Sequence, residues 1–320
     1  MLTMMKNDRW PFLLTAVLAF SLWSCSVQDQ ETMTSGRLTM ASSDDIFPVI
    51  DIQAGDFQRI YEQAHIRHLS LPAGEAVMHL LNNTDSVRLV VLPRQFNADE
   101  LAFIAKNKVE IDSLKIAYDG IAVIVHAKNK LERLSTEDLS AMLNGTTTQW
   151  SALKGSGMSS TIVSAIGDPN GAVYEYLSAK FTGGKPIGGN VEPCSTVTDV
   201  FRAVKDHPNT IGFVSIAMLP RIPSDVKVLE IGDPAIHSGE TLAEMEYFSP
   251  HPAYIYKKLY PLSRTIYCYT HNGGRGVALG FLSFAAGSDG QKIITSNGLV
   301  PATVPVRLVQ LSTQNTTKEE

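Results

Sequence analysis

The pattern of apolar and polar positions along the chain predicts a series of strands, each followed by a helix. Short apolar runs that predict strands lie at 37–41, 66–71, 87–92, 118–126, 161–166 and 210–215. Helical patterns begin near residue 45, pass through 77–81, and recur at 98–106, 136–143, 172–181, 197–204 and 276–286. Repeated strand–turn–helix units predict an α/β fold in which helices cover a mainly parallel sheet.

The start of the chain has the pattern of a secretory signal. Lys6 and Arg9 precede an apolar run of about 14 residues, shorter than the ~20 residues that a membrane-spanning helix needs. A small residue stands directly before Cys25, which resembles the bacterial lipobox. We therefore expect residues 1–24 to be a lipoprotein signal peptide, Cys25 to be lipidated, and the polar residues 25–36 to be a tether. A simple secretory signal with an incidental cysteine is the alternative.

Composition excludes several classes of protein. With 320 residues, 44% hydrophobic and 18% charged, the chain can bury a large core, and its length suggests about two domains. The 27 basic and 32 acidic residues give a net charge of −5, so there is no overall basic excess and we expect no nucleic-acid partner. Loss of residues 1–24 would remove two bases and one acid and bring the charge to −6. We expect Cys194 and Cys268 to be buried and unpaired.

The sequence lacks the common catalytic and cofactor motifs. It contains no GxxxxGK[ST], no GxGxxG after a strand, no HExxH and no GxSxG. His65 and His68 are three residues apart, but their position at a predicted strand edge favours solvated surface over a metal site. Cys194 has no obvious histidine partner nearby, so it is a poor candidate for a nucleophile. We therefore expect neither an enzyme nor a bound metal or cofactor.

Polar residues at the ends of the first three predicted strands are candidates for ligand binding. Ligands of parallel α/β sheets bind outside the carboxyl ends of the strands, which places Ser42, Ser43, Asp44, Gly74 and Arg94 on one rim. The serines also suit capping of the helix predicted near residue 45, and the two functions can coexist. Pairing of an anion with the guanidinium is one interpretation of the arginine, and an ordinary rim salt bridge is the other.

Four segments, in consistent order, resemble the phosphate-binding lipoproteins of bacterial uptake systems, the PstS-like solute-binding proteins. Tyr118–Leu153 contains DGIAV, an N-x-[VL]-x-x-L-[ST]-x-[ED]-x-L pattern and a G-x-x-x-x-W loop. Asp206–Leu219 contains P-x-x-I-G-[FY]-V, and Tyr260–Tyr269 contains YPL-[ST]-R. Phe281–Pro301 matches the family's closing segment, F-[LI]-x-[FY] followed by GQ-x-[IL] and G-[YFL]-[VL]-P.

The resemblance implies a two-lobed periplasmic-binding-protein type II fold in which each lobe is a mainly parallel sheet flanked by helices. Two crossing segments would connect the lobes, and ligand binding would close them by hinge motion. We expect lobe 1 to comprise residues 37–118 plus 262–310, and lobe 2 to comprise residues 119–261. Residues 311–320 form a polar tail.

The segment that aligns with the family's anion-binding loop departs from the family pattern. The family has an arginine and a Ser/Thr-rich run there, whereas this chain has Gly-Asp-Pro-Asn-Gly-Ala from Gly167 to Ala172. The alignment adds Asn170, Gly171 and Ala172 to the candidate ligand-binding residues, through backbone N–H groups. Each unmet hydrogen bond to an oxyanion would cost roughly 1–3 kcal/mol, so two could weaken binding about a hundredfold. The family also places an arginine at the position of Arg94.

The resemblance implies a membrane-anchored solute-binding protein that captures phosphate or a related oxyanion for uptake. Its partners would be the oxyanion, an ABC permease and, through the lipid, a membrane. Its location would be the bacterial cell envelope, facing the periplasm. The alternative is an accessory or interaction subunit of an envelope complex that has lost tight phosphate binding.

Overall fold

The computed structural model describes residues 31–82, 87–239, 245–271 and 274–303. The predicted signal peptide, Cys25 and the polar tail lie outside the described residues. Within the described ranges, every helix is too short or too polar to span a bilayer.

The first half of the chain repeats a strand and a helix. Its elements are β1 (Gly36–Ser43), α1 (Phe47–Ile60), β2 (Ala64–Leu71), α2 (Ala73–Asn82), β3 (Val87–Leu92), α3 (Ala98–Asn107), the 16-residue β4 (Ile111–His126), β5 (Arg133–Ser135) and α4 (Thr136–Leu143).

The second half contains shorter elements and returns to the first at its end. Its elements are β6 (Val163–Ile166), α5 (Ala172–Leu177), β7 (Val191–Pro193), α6 (Val197–Asp206), β8 (Thr210–Ser215), β9 (Val226–Val228), β10 (Glu230–Gly232), β11 (Tyr247–Phe248), α7 (Pro252–Tyr256), β12 (Ser263–His271), α8 (Val277–Ala286), α9 (Ser288–Ser296) and β13 (Val300–Pro301). A π-helical turn at Ser178–Thr182 extends α5, and 3₁₀ turns lie at Trp150–Ala152 and Ile216–Arg221.

One continuous sheet runs through the described part of the chain, in the order β2-β1-β3-β12-β4-β8-β6-β7, with β9 and β13 also paired to β4. The strands at each end are parallel: β1 pairs with β2 and β3, and β6 pairs with β7 and β8. The central pairs that involve β12 and β4 are antiparallel. Two parallel α/β units therefore meet at β4; we call the unit around β1–β3 the first lobe and the unit around β6–β8 the second lobe.

The long strand β4 and the strand β12 carry the chain between the two lobes. The first part of β4 pairs with β12, and its last part, Ile121–Val125, pairs with β8. At the point of transfer, Asp119 lies opposite Arg264 and Gly120 opposite Ser263. The two segments with the DGIAV and YPL-[ST]-R motifs therefore lie side by side where the lobes join.

Helix starts that the sequence predicts are confirmed where a local cap forms. The side chains of Asn97, Ser135 and Thr196 cap α3, α4 and α6, each in a reciprocal capping box with the acidic residue three positions later. Each box satisfies two backbone N–H groups that a helix start would otherwise leave unpaired.

The expected capping of α1 by Ser42 and Ser43 is wrong. Both serines lie in β1, and Ile46 occupies the N-cap position without a side-chain hydrogen bond. Pro48 in the first turn lacks the N–H that a cap would otherwise have to satisfy. The serine hydroxyls are therefore free for other partners.

The end of the predicted tether lies against the first lobe. The carboxylate of Glu31 accepts hydrogen bonds from Arg88 at 2.5 and 2.8 Å and from the backbone N–H of Val277 at 3.2 Å. A Cβ on Gly280 would overlap the backbone of Met33, so the chain crosses α8 at a position where only glycine fits. The chain is therefore in contact with the folded body from Glu31 onward.

Both lobes have apolar interiors that meet across β4. Among the largest fully buried side chains are Trp150, Tyr260, Phe57 and Phe213. Cys194 and Cys268 are free and buried, which confirms the expectation of two unpaired thiols. Burial raises the pKa of the Cys194 thiol to about 11, so this thiol is protonated near neutral pH.

Candidate functional site

Gly74 of the first lobe and Asn170 of the second meet where the carboxyl ends of the first-lobe strands face the start of α5. The backbone N–H of Gly74, at the start of α2, donates a hydrogen bond to the backbone carbonyl of Asn170 at 3.2 Å. A Cβ on Gly74 would lie 3.8 Å from that carbonyl and from the carboxylate of Glu175. The two lobes are therefore in direct contact at this point.

Arg94 lies at the same contact, where Nη1 and Nη2 donate four hydrogen bonds, while the buried Nε has an ion-pair partner but no hydrogen bond among the described residues. Glu100 accepts two hydrogen bonds, from Nη1 and Nη2, each at 2.8 Å, and the carbonyl of Gln95 accepts another from Nη1 at 2.9 Å. Nη2 lies 3.5 Å from Oε1 of Glu175, and Nε forms an ion pair with Oε2 of the same carboxylate. We call Arg94, Glu100 and Glu175 the rim cluster.

The two carboxylates of the rim cluster are held differently. Glu100 also accepts the backbone N–H of Asn97 as part of the α3 capping box, at 2.8 Å. Glu175 lies on α5, in the second lobe, and among the described residues its carboxylate bonds to Arg94 alone. Glu100 is therefore anchored twice within the first lobe, whereas Glu175 depends on the contact between lobes.

The rim cluster has more negative than positive charge in a poorly solvated place. Burial, opposed by the charge of Arg94 but reinforced by Glu100, raises the pKa of Glu175 to about 7. Burial acts to lower the pKa of Arg94, yet the hydrogen bonds and charges of the two glutamates raise it above its ordinary value. At neutral pH the arginine is fully charged and Glu175 is near its midpoint.

The serines at the end of β1 are engaged within the first lobe. Ser42 lies 2.8 Å from Nε2 of His68, whose Nδ1 lies 3.1 Å from Asp51. Because a carboxylate only accepts, the neutral ring donates from Nδ1 and accepts the Ser42 hydroxyl proton at Nε2. The hydroxyl of Ser43 donates to Asp45 at 2.6 Å.

The expectation that His68 is solvated surface is wrong. Its side chain is 4% exposed and stacks on Phe47, with the ring centroids 4.3 Å apart. Burial lowers the pKa of His68, so the ring stays neutral near pH 7. Its bond to Ser42 fixes the end of β1 at the site.

A second ionic cluster, absent from the sequence-based candidates, lies where the lobes join. Arg264 donates from Nε to Asp119 at 2.8 Å and pairs through Nη2 with Asp45. The hydroxyl of Ser215 donates to Asp119 at 3.0 Å. We call Asp45, Asp119, Ser215 and Arg264 the hinge cluster; it connects the turn after β1 with β4, β8 and β12.

The hinge cluster is almost completely buried. The side chains of Arg264, Asp45 and Asp119 are 3%, 3% and 0% exposed. Burial raises the pKa of Asp119, although the charge of Arg264 opposes it. Nη1 of Arg264 has no hydrogen-bond partner among the described residues, so this cluster keeps one unused cationic donor.

The remaining candidates occupy the start of α5 and an adjoining groove. Gly171 is the N-cap of α5, but its N–H donates to the carbonyl of Asp168 at 2.8 Å; Ala172 is the first residue of the helix. Asp44 lines a groove of about 840 Å³ between the lobes, together with Pro72, Thr196 and residues of α6. Burial and the neighbouring charge of Asp45 raise the pKa of Asp44 to about 6.

The structure thus brings Gly74, Arg94 and Asn170 together and adds Glu175, which sequence reasoning missed. The hydroxyls of Ser42 and Ser43 bond to His68 and Asp45. No local signal marked Asp119, Arg264 or Glu175 as charge partners, because their partners lie 81 to 219 residues away.

Comparison with known proteins places this geometry in a family. The sequence profile of the PBP superfamily domain matches residues 27–289. The phosphate-binding protein PstS 2 of Streptococcus agalactiae, in strains of serotype V and serotype III, is 25% identical over 124 residues, 39% of this chain. The matched region is 40% of those curated relatives' length.

Solved structures share the fold at low sequence identity. A Clostridium perfringens protein of the phosphate ABC transporter substrate-binding class, solved with bound phosphate, superposes with a TM-score of 0.70 at 17% identity, over 83% of this chain and 100% of that one. An ABC-type phosphate transport receptor from Vibrio cholerae gives 0.63 at 16% identity, over the same shares. The expected two-lobed α/β fold is confirmed, and the chain belongs to the PBP superfamily.

Proposed function

We propose that this protein is a solute-binding protein that holds phosphate or a related oxyanion between its lobes. The observation that carries the proposal is Arg94, a guanidinium at the contact between lobes, beside the interlobe hydrogen bond from Gly74 to Asn170. A planar guanidinium can bind an oxyanion through two parallel hydrogen bonds. Relatives named for phosphate binding support this choice of solute.

The binding is stoichiometric, and we propose no chemical step. Closure of the two lobes around a solute excludes water and strengthens every charge-assisted bond inside. We propose that the lobes comprise residues 37–118 plus 262–310 and residues 119–261. The pairing of Asp119 with Arg264 at the crossing supports a boundary there.

We propose that an ABC permease receives the solute and that a lipid on Cys25 anchors the protein at the bacterial cell envelope, facing the periplasm. The names of the related transport proteins support the permease, and the small residue before Cys25 supports the anchor. Cys25→Ala in the full chain should move the protein from the membrane fraction to the soluble fraction. Unchanged membrane retention would contradict the anchor.

An accessory role without tight phosphate binding is a second candidate, and one observation favours it. Four N–H groups of Arg94 already donate to protein oxygens and the fifth, on Nε, is ion-paired with Glu175, so a solute must displace a protein carboxylate there. The hydroxyls of Ser42 and Ser43 are likewise engaged.

Thermal unfolding with and without phosphate separates the two candidates. A solute that binds only the native state stabilises it by about 2.7 kcal/mol at a hundred times its Kd. We expect about 10 mM phosphate at pH 6 to raise the Tm, at constant ionic strength set with chloride. No shift would contradict phosphate binding and favour the accessory role.

A further inference from the structure

We propose that the carboxylate of Glu175 takes the place beside Arg94 that a solute anion would otherwise fill. A solute anion then binds to Arg94 only when Glu175 takes up a proton. The inference rests on the proposed function, because it concerns the same arginine. Glu175 would thereby determine the pH range in which an anion binds.

The hydrogen bonds of Arg94 identify which contact an anion must replace. Three of its five N–H groups bond to Glu100 and the Gln95 carbonyl, within the first lobe. The other two face Glu175 across the contact between lobes. Glu100 would also lose its bond to the Asn97 N–H on leaving, whereas Glu175 would lose only Arg94. An anion therefore displaces Glu175 at the lower cost.

Charge balance requires a proton when the anion arrives. With Glu175 ionised, an anion on Arg94 would place three negative groups around one guanidinium that is 12% exposed. The other charged groups that bear on Glu175 are Glu100 and Asp45, both acidic. On α2 the nearby acid, Glu75, lies 3.7 Å from His79 and is half exposed. Among the described groups that affect the pKa of Glu175, Arg94 is the only cation.

The proton goes to Glu175 rather than to Glu100. Burial already raises the pKa of Glu175 to about 7, so the proton is available from solvent at neutral pH. Protonated, the carboxyl becomes a hydrogen-bond donor, which an oxyanion can accept, while Arg94 recovers two donors for the anion. Uptake of one proton thus converts a competitor of the solute into a ligand of the solute.

The direct test is calorimetric titration of the purified protein with inorganic phosphate at pH 6, 7 and 8, comparing the wild type with Glu175→Gln. The glutamine stands in for the protonated acid, and phosphate's own ionisation affects both proteins equally. Since the wild type must first protonate Glu175, the variant should bind about tenfold tighter at pH 8, about twofold tighter at pH 7 and equally at pH 6. Glu137→Gln, exposed on α4 of the same lobe, is the matched charge control and should follow the wild type.

Equal affinities of wild type and Glu175→Gln at every pH would overturn the inference, and so would weaker binding by the variant at pH 8. Absence of phosphate binding by all three proteins would instead overturn the proposed function. In that case, the pH dependence of the Tm, measured without ligand, tests whether Glu175 titrates near neutral pH. Because its pKa is higher folded than unfolded, wild-type stability falls as pH rises from about 4.5 to 7. From pH 5 to 8 the wild type should lose about 2–4 °C of Tm relative to Glu175→Gln; parallel curves would contradict it.

Discussion

The rim cluster and the hinge cluster each pair one arginine with two carboxylates, yet they differ in how completely those side chains are buried. Arg94 is 12% exposed, and one of its two carboxylates is supplied by the other lobe. Arg264 is buried between Asp45 and Asp119 and leaves Nη1 unused. The same residue types therefore form an exchangeable contact at the rim and a permanent one at the hinge.

The difference depends on whether water or a solute anion can replace the carboxylate partners of each arginine. The rim is partly exposed, with Arg94 12% and Glu175 26% exposed, so a lost carboxylate there can be replaced by solvent or by a solute anion. Water does not reach the hinge, where removal of the cation would leave two buried negative charges uncompensated. We therefore expect the hinge cluster to determine stability and the rim cluster to determine binding.

The largest expected effect tests the hinge side of this comparison. Arg264→Met should destabilise the protein by about 3–5 kcal/mol, because Asp45 and Asp119 remain buried without a cation. Urea unfolding monitored by circular dichroism measures the change. A loss below about 1 kcal/mol would contradict the claim that this buried cluster holds the crossing strands together.

A smaller effect tests the element that carries Glu175. Gly171→Ala should cost about 1–2 kcal/mol, because its Cβ would lie 2.9 Å from the Asp168 carbonyl oxygen, closer than van der Waals contact allows. The turn before α5 must shift, so the same variant should also change phosphate affinity. Ala172→Gly, the next residue, is a control for flexibility without the clash.

The matched variant on the rim should change stability less. Arg94→Met should cost about 1 kcal/mol, since Glu100 retains its capping bond and Glu175, with its pKa near 7, can become neutral. Unfolding under the conditions used for Arg264→Met gives the comparison directly. Equal losses for the two arginine variants would remove the distinction between the clusters.

The smallest effect concerns the interlobe hydrogen bond at Gly74. Gly74→Ala should change stability by less than about 0.5 kcal/mol, because the added Cβ would lie 3.8 Å from its neighbours and the N–H still reaches the Asn170 carbonyl. Phosphate affinity should stay unchanged as well. A marked loss of affinity would show that the lobes close more tightly in the bound state than in this structure.

The sequence predicted features that depend on near neighbours. The helix predicted at 136–143 begins where expected because Ser135 and its capping partner are only three residues apart, and the strands follow the apolar runs of their own sequence. The rim position of Gly74 and Arg94 followed from the general rule that strand ends form the ligand face. The family resemblance predicted a two-lobed fold and added Asn170 to the candidate ligand-binding residues.

The charge partners could not be predicted, because they depend on contacts between distant parts of the chain. Asp45 and Arg264 are 219 residues apart, and Arg94 and Glu175 are 81 apart. The sequence around Ser42 and Ser43 also suggested caps, whereas Ser42 bonds to His68, 26 residues away, and Ser43 donates to Asp45, two residues away. The capping preference of a residue can indicate where a helix starts, but it does not indicate which side chain from another strand will contact that residue.

A crystal structure of the protein with phosphate at pH 6 tests the central claim most directly. We predict phosphate oxygens within hydrogen-bond distance of Nε and Nη2 of Arg94, with Glu100 still bonded to the guanidinium and Glu175 turned from Arg94 toward the anion. Phosphate bound elsewhere, with the contact between Arg94 and Glu175 unchanged, would contradict the account.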